Sequence, residues 1–153
     1  MTVTIRQIEE ADYPTIAGIV SDLPEWFDVT AREHSIPVDI GHPCGVVAVA
    51  DGNTVGFVTG YVADGRLNIG WQGVRRDWHR RGVGGLLLAR VEKLAVELGN
   101  PEVVTYTLGE GVDYPPYEAT RQFYCKHGFE VYQRNRTDNP SCPEEIRLRK
   151  TLQ

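Results

Sequence analysis

The chain carries its strongest structural signal at His79-Arg80-Arg81-Gly82-Val83-Gly84-Gly85-Leu86-Leu87-Leu88, a glycine-rich turn that leads directly into a helical pattern. Glycine lets a backbone turn sharply and approach a ligand without an intervening Cβ. The start of a helix also presents unpaired N–H groups and the positive end of the helix dipole, and this combination binds phosphate. The sequence therefore predicts a site for a phosphorylated ligand where this helix begins.

Length and composition set limits on the class of protein. The chain has 153 residues and a formal net charge of −5, and we expect residues 1–153 to form a single domain. The charge argues against a nucleic-acid partner and allows a cationic substrate. No apolar run is long enough to span a membrane and the N-terminus lacks an apolar signal segment, so we expect a cytoplasmic protein without a membrane partner. The three cysteines and four histidines lack metal-ligand spacing, so no bound metal is expected.

The remaining patterns predict a mixture of strands and helices. Strands are predicted at 2–6, 46–50, 55–62, 67–74, 103–108, 129–132 and 146–152, and helices at 83–98 and 117–127 and after a cap at Asp12. Residues 24–45 are interpreted as a surface segment with one short helix. Gly70 and Gly73 lie inside a predicted strand and indicate a bulge or the close approach of a ligand.

Two familiar phosphate-binding patterns do not fit the glycine turn. A P-loop would carry lysine where Leu86 stands, and a dinucleotide fingerprint would carry a third glycine at Leu87. A tight turn with a close helix–sheet contact remains an alternative explanation of the glycines.

Basic side chains gather beside this turn in an otherwise acidic chain. The four are Arg75, Arg76, Arg80 and Arg81. Because crowded like charges repel one another, a multiply charged anion would stabilise the group. A solvated basic loop is the alternative.

Two motifs about forty residues apart carry a resemblance to a known family. Residues 79–84 resemble the pyrophosphate loop Gln/Arg-x-x-Gly-x-Gly/Ala of the GNAT superfamily of N-acetyltransferases, with His79 in the first position. Residues 120–130 are similar to that family's Phe-Tyr-x-x-x-Gly-Phe helix end, and residues 68–74 stand where the family has its central, bulged strand. The resemblance implies an α/β (α+β) fold with a central mixed, mostly antiparallel twisted sheet and flanking helices.

The resemblance implies that the ligand is acetyl-CoA and that it serves as an acyl donor. Its pyrophosphate would bind the N–H groups of Arg80, Arg81, Gly82, Val83, Gly84 and Gly85. Its pantetheine arm would run along Gln72, Gly73 and Val74, as an added strand does. Tyr117 occupies a position at which relatives often contact CoA.

Catalytic residues follow from the same resemblance. The N–H of Val74 would polarise the thioester carbonyl, and Tyr124 would protonate the leaving thiolate; a tyrosine packed in the core is the alternative. The predicted central strand carries no carboxylate, so Asp113 and Glu118 are the nearest candidates for a general base, with a water chain as the alternative.

Residues 24–45 are expected to form one wall of an acceptor pocket. Trp26 and Phe27 would pack on an apolar part of the acceptor, and Glu25, Asp28 or Glu33 would meet a cation. The alternative is that the aromatic side chains fix this segment to the core.

The implied function is transfer of an acetyl group from acetyl-CoA to a primary amine by direct attack in a ternary complex. A catalytically silent acyl-CoA-binding or regulatory module on the same fold is one alternative, and a nucleotide-binding protein of another family is a second. The acceptor amine is not identified by the sequence, and either a monomer or a homodimer is compatible with it.

Overall fold

One seven-stranded sheet organises this computed structural model, which describes residues 2–140 and 142–152. The strands are β1 (Val3–Gln7), β2 (Val46–Ala50), β3 (Asn53–Ala63), β4 (Arg66–Val74), β5 (Glu102–Leu108), β6 (Glu130–Arg136) and β7 (Glu144–Thr151). They lie in the order β1-β2-β3-β4-β5-β7-β6, and every neighbouring pair is antiparallel except β4 and β5. The expected single domain with a mixed, mostly antiparallel sheet is confirmed.

Helices cover both faces of this sheet. They are α1 (Tyr13–Ser21), α2 (Ile36–Asp39), α3 (Val83–Glu97) and α4 (Pro115–Lys126), with a π-helical turn at Ala31–Ser35 and 3₁₀ turns at Glu10–Asp12 and Arg76–Trp78. Among the described residues, no helix is long and apolar enough to cross a membrane.

The helix α3 that follows the glycine turn packs one apolar face against the sheet. Its buried residues are Val83, Leu87, Leu88, Val91 and Ala95, which recur at the spacing of a helical stripe. The sequence spacing predicts one apolar face made of Val83, Leu87, Val91, Leu94 and Leu98. However, α3 ends at Glu97 and Leu98 is 49% exposed. The stripe therefore ends about one turn earlier than predicted.

The segment 24–45 contributes to the core on the opposite face of the sheet. Phe27, Ala31, Ile36 and Ile40 are buried there against α1 and the sheet. The interpretation as a surface segment was therefore incomplete, because spacing alone did not show that its helical turns pack inward.

Asp12 precedes α1, but its side chain does not cap that helix. The carboxylate instead accepts two hydrogen bonds from the guanidinium of Arg6, each 2.8 Å long, and one from the N–H of Glu9 at 2.8 Å. This pairing ties β1 to the turn before α1, a contact that local sequence could not indicate.

β4 carries a β-bulge in its pairing with β3, and beyond this bulge β4 separates from β5. Thr59 lies opposite both Gly70 and Trp71, and its hydroxyl accepts the N–H of Trp71 at 2.8 Å. Only two pairs of residues join β4 to β5, at Leu67–Val103 and Asn68–Val104. Because a bulge bends the strand that carries it, the two strands diverge beyond this point and leave a gap.

We predict that Thr59→Val lowers the free energy of unfolding by about 1–3 kcal/mol, because it leaves the partly buried N–H of Trp71 without its acceptor. Thr107→Val is the matched control, since the Thr107 hydroxyl is also buried but has no hydrogen-bond partner among the described residues. Urea unfolding followed by circular dichroism measures both. Equal losses in the two variants would contradict the role given to Thr59.

Candidate active site

Two cavities meet in the gap between β4 and β5. The glycine-loop cavity, of about 630 Å³, lies between the glycine turn, the end of β4 and one face of α4. The strand-gap cleft, of about 200 Å³, lies between β4, β5 and the segment after α1. Both are lined by Trp26, Phe27, Gln72, Thr120 and Tyr124. A ligand in one cavity can therefore meet a ligand in the other beside these shared residues.

The end of β4 offers backbone groups to the gap. Val74 lies opposite Gly56 on β3, while the next residue, Arg75, donates its N–H to the carbonyl of Val55 at 2.8 Å. Hydrogen-bonded and non-hydrogen-bonded pairs alternate along an antiparallel ladder. The N–H and C=O of Val74 therefore point away from β3. The C=O is held by Nε2 of His79 at 2.6 Å, and the N–H is directed into the gap.

The glycine turn has the backbone geometry of an anion-binding helix start. Gly82 is the residue before α3 and adopts a left-handed conformation with φ of +80°, which favours glycine. No side chain caps this helix, so the first N–H groups of α3 lack partners within the helix. Together with the helix dipole, these groups favour an anion.

Close packing explains a second glycine in this turn. A Cβ built on Gly84 would lie 3.1 Å from the ring of Phe123 on α4. The close contact that the sequence offered as an alternative therefore exists, but it joins α3 to helix α4, whereas the alternative expected a contact with the sheet. The same approach brings α3 and α4 together at one end of the glycine-loop cavity.

The four arginines do not form one free basic group. Arg75 pairs with Asp77 at 2.6 Å, and Arg76 makes two hydrogen bonds to Glu25 of 2.7 and 2.8 Å. The guanidinium of Arg81 lies over the ring of Trp78, 4.7 Å from its centroid. Of the four, only Arg80 lines the glycine-loop cavity.

The segment after α1 is fastened to the start of α4 across the gap. The Trp26 Nε1–H donates to the carbonyl of Pro116 at 2.9 Å, and the hydroxyl of Tyr117 donates to the carbonyl of Trp26 at 2.7 Å. The hydroxyl of Tyr114 donates to the carbonyl of Glu25, also at 2.7 Å. These bonds position the aromatic wall that both cavities share.

Tyr124 lies where the two cavities meet, and its side chain is 5% exposed. Its hydroxyl donates to Oε1 of Gln72 at 3.2 Å, while Nε2 of Gln72 donates to the carbonyl of Gly84 at 3.2 Å. Burial raises the pKa of Tyr124 to about 12, against a smaller opposing contribution from Thr105. Gln72 thus links the buried tyrosine to the first turn of α3.

Most of the expected ligand-binding residues lie together. Gln72, Gly73, Val74, Arg80, Gly82, Val83, Gly84, Gly85 and Tyr124 all line the glycine-loop cavity. Arg81 and Tyr117 do not line it, and Tyr117 lies instead in the strand-gap cleft. Gly73 is covered by aromatic rings, because an added Cβ would lie 2.9 Å from Phe57 and 3.3 Å from Phe27.

The two candidate bases lie elsewhere. Asp113 and Glu118 line a third cavity of about 660 Å³, the outer cavity, between α4 and the strands β6 and β7. Neither residue lines the glycine-loop cavity or the strand-gap cleft. The sequence already indicated that Glu118 and Tyr124 would not share a site, because they are six residues apart and so occupy different faces of α4.

Several residues that line the glycine-loop cavity were not expected from the sequence, namely Trp78, Lys126 and His127. His79, the first residue of the loop motif, lines it as well. Nε2 of His79 bonds to the carbonyl of Val74 at 2.6 Å, which fastens the loop to the end of β4. Lys126 and His127 follow Phe123 by three and four residues, which is the spacing of one helix face. The sequence therefore indicated that these three residues would lie together.

No group of three or more histidine, cysteine, aspartate or glutamate side chains that could hold a metal ion occurs in residues 2–140 and 142–152.

Comparison with known proteins assigns the chain to a family. Residues 42–131 match the model of the acetyltransferase (GNAT) domain, which is more than half of the chain, and the chain therefore belongs to the GNAT family. The match includes β4, the glycine turn, α3, β5 and α4. Family membership supports acetyl transfer in general and the use of an acyl-CoA. No curated protein matches the chain.

Solved structures share the whole fold at low sequence identity. A putative acetyltransferase of the GNAT family from Desulfovibrio desulfuricans is 20% identical over 99% of this chain and 100% of its own, with a TM-score of 0.84. Ard1 from Thermoplasma volcanium is 18% identical over 100% and 99%, with a TM-score of 0.80. PaiA N-acetyltransferase from Thermoplasma acidophilum, solved with coenzyme A, is 16% identical over 99% and 100%, with a TM-score of 0.75.

We predict that Arg80→Ala raises the dissociation constant for coenzyme A about tenfold, because Arg80 is the arginine of the cluster that lines the cavity beside the helix start. The effect should shrink as salt is added. Arg75→Ala is the matched control, since Arg75 carries the same charge but is paired with Asp77. Calorimetric titration measures both, and equal weakening would contradict the special position of Arg80.

Proposed function

We propose that this chain transfers the acetyl group of acetyl-CoA to a primary amine by direct attack within a ternary complex. One observation carries the proposal: the anion-binding start of α3, the backbone edge of β4 at Val74 and the buried Tyr124 line one cavity. That cavity meets a second cleft at Tyr124, so a donor in the first cavity and an acceptor in the second would meet there.

The donor occupies the glycine-loop cavity in this proposal. Its pyrophosphate lies against the N–H groups of residues 82–85, with the guanidinium of Arg80 beside it. Its pantetheine amides pair with the edge of β4 that the gap leaves open, in the manner of an added strand. The thioester then lies between Val74 and Tyr124.

The acceptor enters through the strand-gap cleft. Its neutral nitrogen attacks the thioester carbon, so a C–N bond forms and the C–S bond breaks. The N–H of Val74 stabilises the oxyanion that forms at the carbonyl oxygen. An ammonium acceptor releases two protons in all, one of which ends on the sulfur of free CoA while the other passes to solvent.

Tyr124 acts on the leaving sulfur by donating a hydrogen bond. With a pKa of about 12 it is a much weaker acid than a thiol, whose ordinary pKa is about 8.5. A complete proton transfer from Tyr124 to the thiolate would therefore be unfavourable, whereas a hydrogen bond stabilises the developing charge. Gln72 holds the hydroxyl in position until the sulfur replaces it as acceptor.

We propose that water removes the proton from the ammonium group of the acceptor. Asp113 and Glu118 line the outer cavity, so we do not assign either carboxylate as the base. Of the two possibilities that the sequence left open, the water chain fits the separate position of these carboxylates better.

We predict that Tyr124→Phe lowers kcat at least about 100-fold, because the leaving sulfur loses its hydrogen-bond donor. The dissociation constant for coenzyme A should change by less than about twofold, since the ring still fills the cavity wall. Thiol release from acetyl-CoA with an amine panel measures turnover, and calorimetry measures binding. Tyr132→Phe, on β6 and outside both cavities, is the control.

Unchanged turnover in Tyr124→Phe would remove this residue from the mechanism. If the wild-type chain binds coenzyme A but releases no thiol with any amine, the result would favour the silent acyl-CoA-binding module instead.

We predict that kcat/KM rises with pH toward the pKa of the acceptor amine, near 10.4 for an alkylammonium, because only the neutral amine attacks. Tyr124 stays protonated over this range, since its pKa is about 12. The profile should therefore show no alkaline decline below about pH 10. A decline near pH 8 or 9 would contradict the assigned protonation state of Tyr124.

A further inference from the structure

The strand-gap cleft has the chemistry of a site for an organic cation. Its walls carry five aromatic side chains besides Tyr124, namely Trp26, Phe27, Trp71, Tyr106 and Tyr117. Among the described residues that line it, Asp28 is the only carboxylate, and none is lysine or arginine. Aromatic faces attract cations and also pack on flat apolar groups.

The structure distinguishes the three carboxylates that the sequence offered for a cation. Glu25 is held by Arg76, whose guanidinium lowers the pKa of Glu25 to about 2, so this carboxylate is already paired. Glu33, which is exposed as Asp28 is, lines neither the strand-gap cleft nor the glycine-loop cavity. Asp28 remains, and it lies on the wall of the cleft.

Asp28 is fixed in place by one of its oxygens. Oδ1 accepts the N–H of Ala31 at 2.8 Å, while Oδ2 makes no hydrogen bond to a described residue. Burial raises the pKa of Tyr117 to about 12, and the negative charge of Asp28 adds to this effect. Asp28 therefore lies on the wall of the cleft with one oxygen held by the backbone and the other without a described partner.

One cationic side chain that contacts this wall, Arg147, is already engaged. The guanidinium of Arg147 lies 5.9 Å from the ring centroid of Tyr106, but it bonds to Glu145 at 2.8 Å. A carboxylate on a ligand in the cleft would therefore face Asp28 without a cation among the lining residues to balance it. Like charges brought together in this way oppose binding.

We infer that the acceptor is a small primary amine with an aromatic or aliphatic body and no carboxylate, and that Asp28 selects it by attracting its ammonium group. This inference rests on the proposed acetyl transfer and assigns the substrate class of that site. The cleft volume of about 200 Å³ accommodates a single small molecule. The aromatic walls pack on its body, and Asp28 is the specificity-determining residue.

The test compares matched acceptors in the full chain with acetyl-CoA and a thiol reagent. Phenethylamine and tyramine are paired with phenylalanine and tyrosine, which have the same bodies plus a carboxylate. A short peptide with a free N-terminus is the third kind of acceptor. We expect kcat/KM for each amine to exceed that for its amino acid and for the peptide by at least about tenfold.

The variant Asp28→Asn tests the residue itself. An asparagine side chain still accepts the N–H of Ala31, so the local turn is kept while the charge is removed. We expect KM for the amine to rise at least about tenfold, with KM for acetyl-CoA unchanged. Glu33→Gln removes the same charge from the same segment, away from the cleft, and should leave both constants unchanged.

Different results overturn different claims. Equal or better use of the amino acids or the peptide would overturn the inferred substrate class while leaving acetyl transfer intact. Equal effects of Asp28→Asn and Glu33→Gln would overturn the role of Asp28. Binding of acetyl-CoA without thiol release for any acceptor would overturn the proposed function, and this inference with it.

Discussion

The hydrogen bond from the N–H of Trp71 to the buried hydroxyl of Thr59 fixes the bulge on which the site depends. Without the bulge, β4 would continue beside β5 and its edge would be closed by ladder hydrogen bonds. With it, the two strands share only two residue pairs and then separate. On one side, the gap exposes the backbone N–H of Val74. On the other side lies the strand-gap cleft.

Three elements complete the site around this gap. The start of α3 supplies N–H groups and the positive end of its dipole. Helix α4 supplies Tyr124 and one wall of the glycine-loop cavity. The segment after α1 crosses from the other face of the sheet and is fastened to the start of α4 by the bonds of Trp26 and Tyr117. Arg76, bound to Glu25, joins that segment to the loop as well. The charged loop therefore has a structural role through Arg76, besides lining the glycine-loop cavity through Arg80.

The parts of the fold with local signals could be predicted from the sequence. The glycine turn, the stripe of α3 and the turn at Asp64-Gly65, where both residues have positive φ, depend on neighbours in the chain. The pairing of Arg76 with Glu25, 51 residues away, has no such signal. This pairing also determines which carboxylates remain available to a ligand. Only the folded chain therefore shows that Glu25 is already paired and that Asp28 lies on the cleft wall. By contrast, the 3.6-residue period of an α-helix is enough to predict that Glu118 and Tyr124 lie on different faces of α4.

The decisive measurement is a structure of the chain with bound acetyl-CoA. We expect the pyrophosphate to lie within hydrogen-bonding distance of the N–H groups at residues 82–85, the pantetheine to run along β4, and the thioester carbonyl to meet the N–H of Val74 beside Tyr124. Acetyl-CoA bound in the outer cavity, or with its thioester away from Val74 and Tyr124, would contradict this expectation.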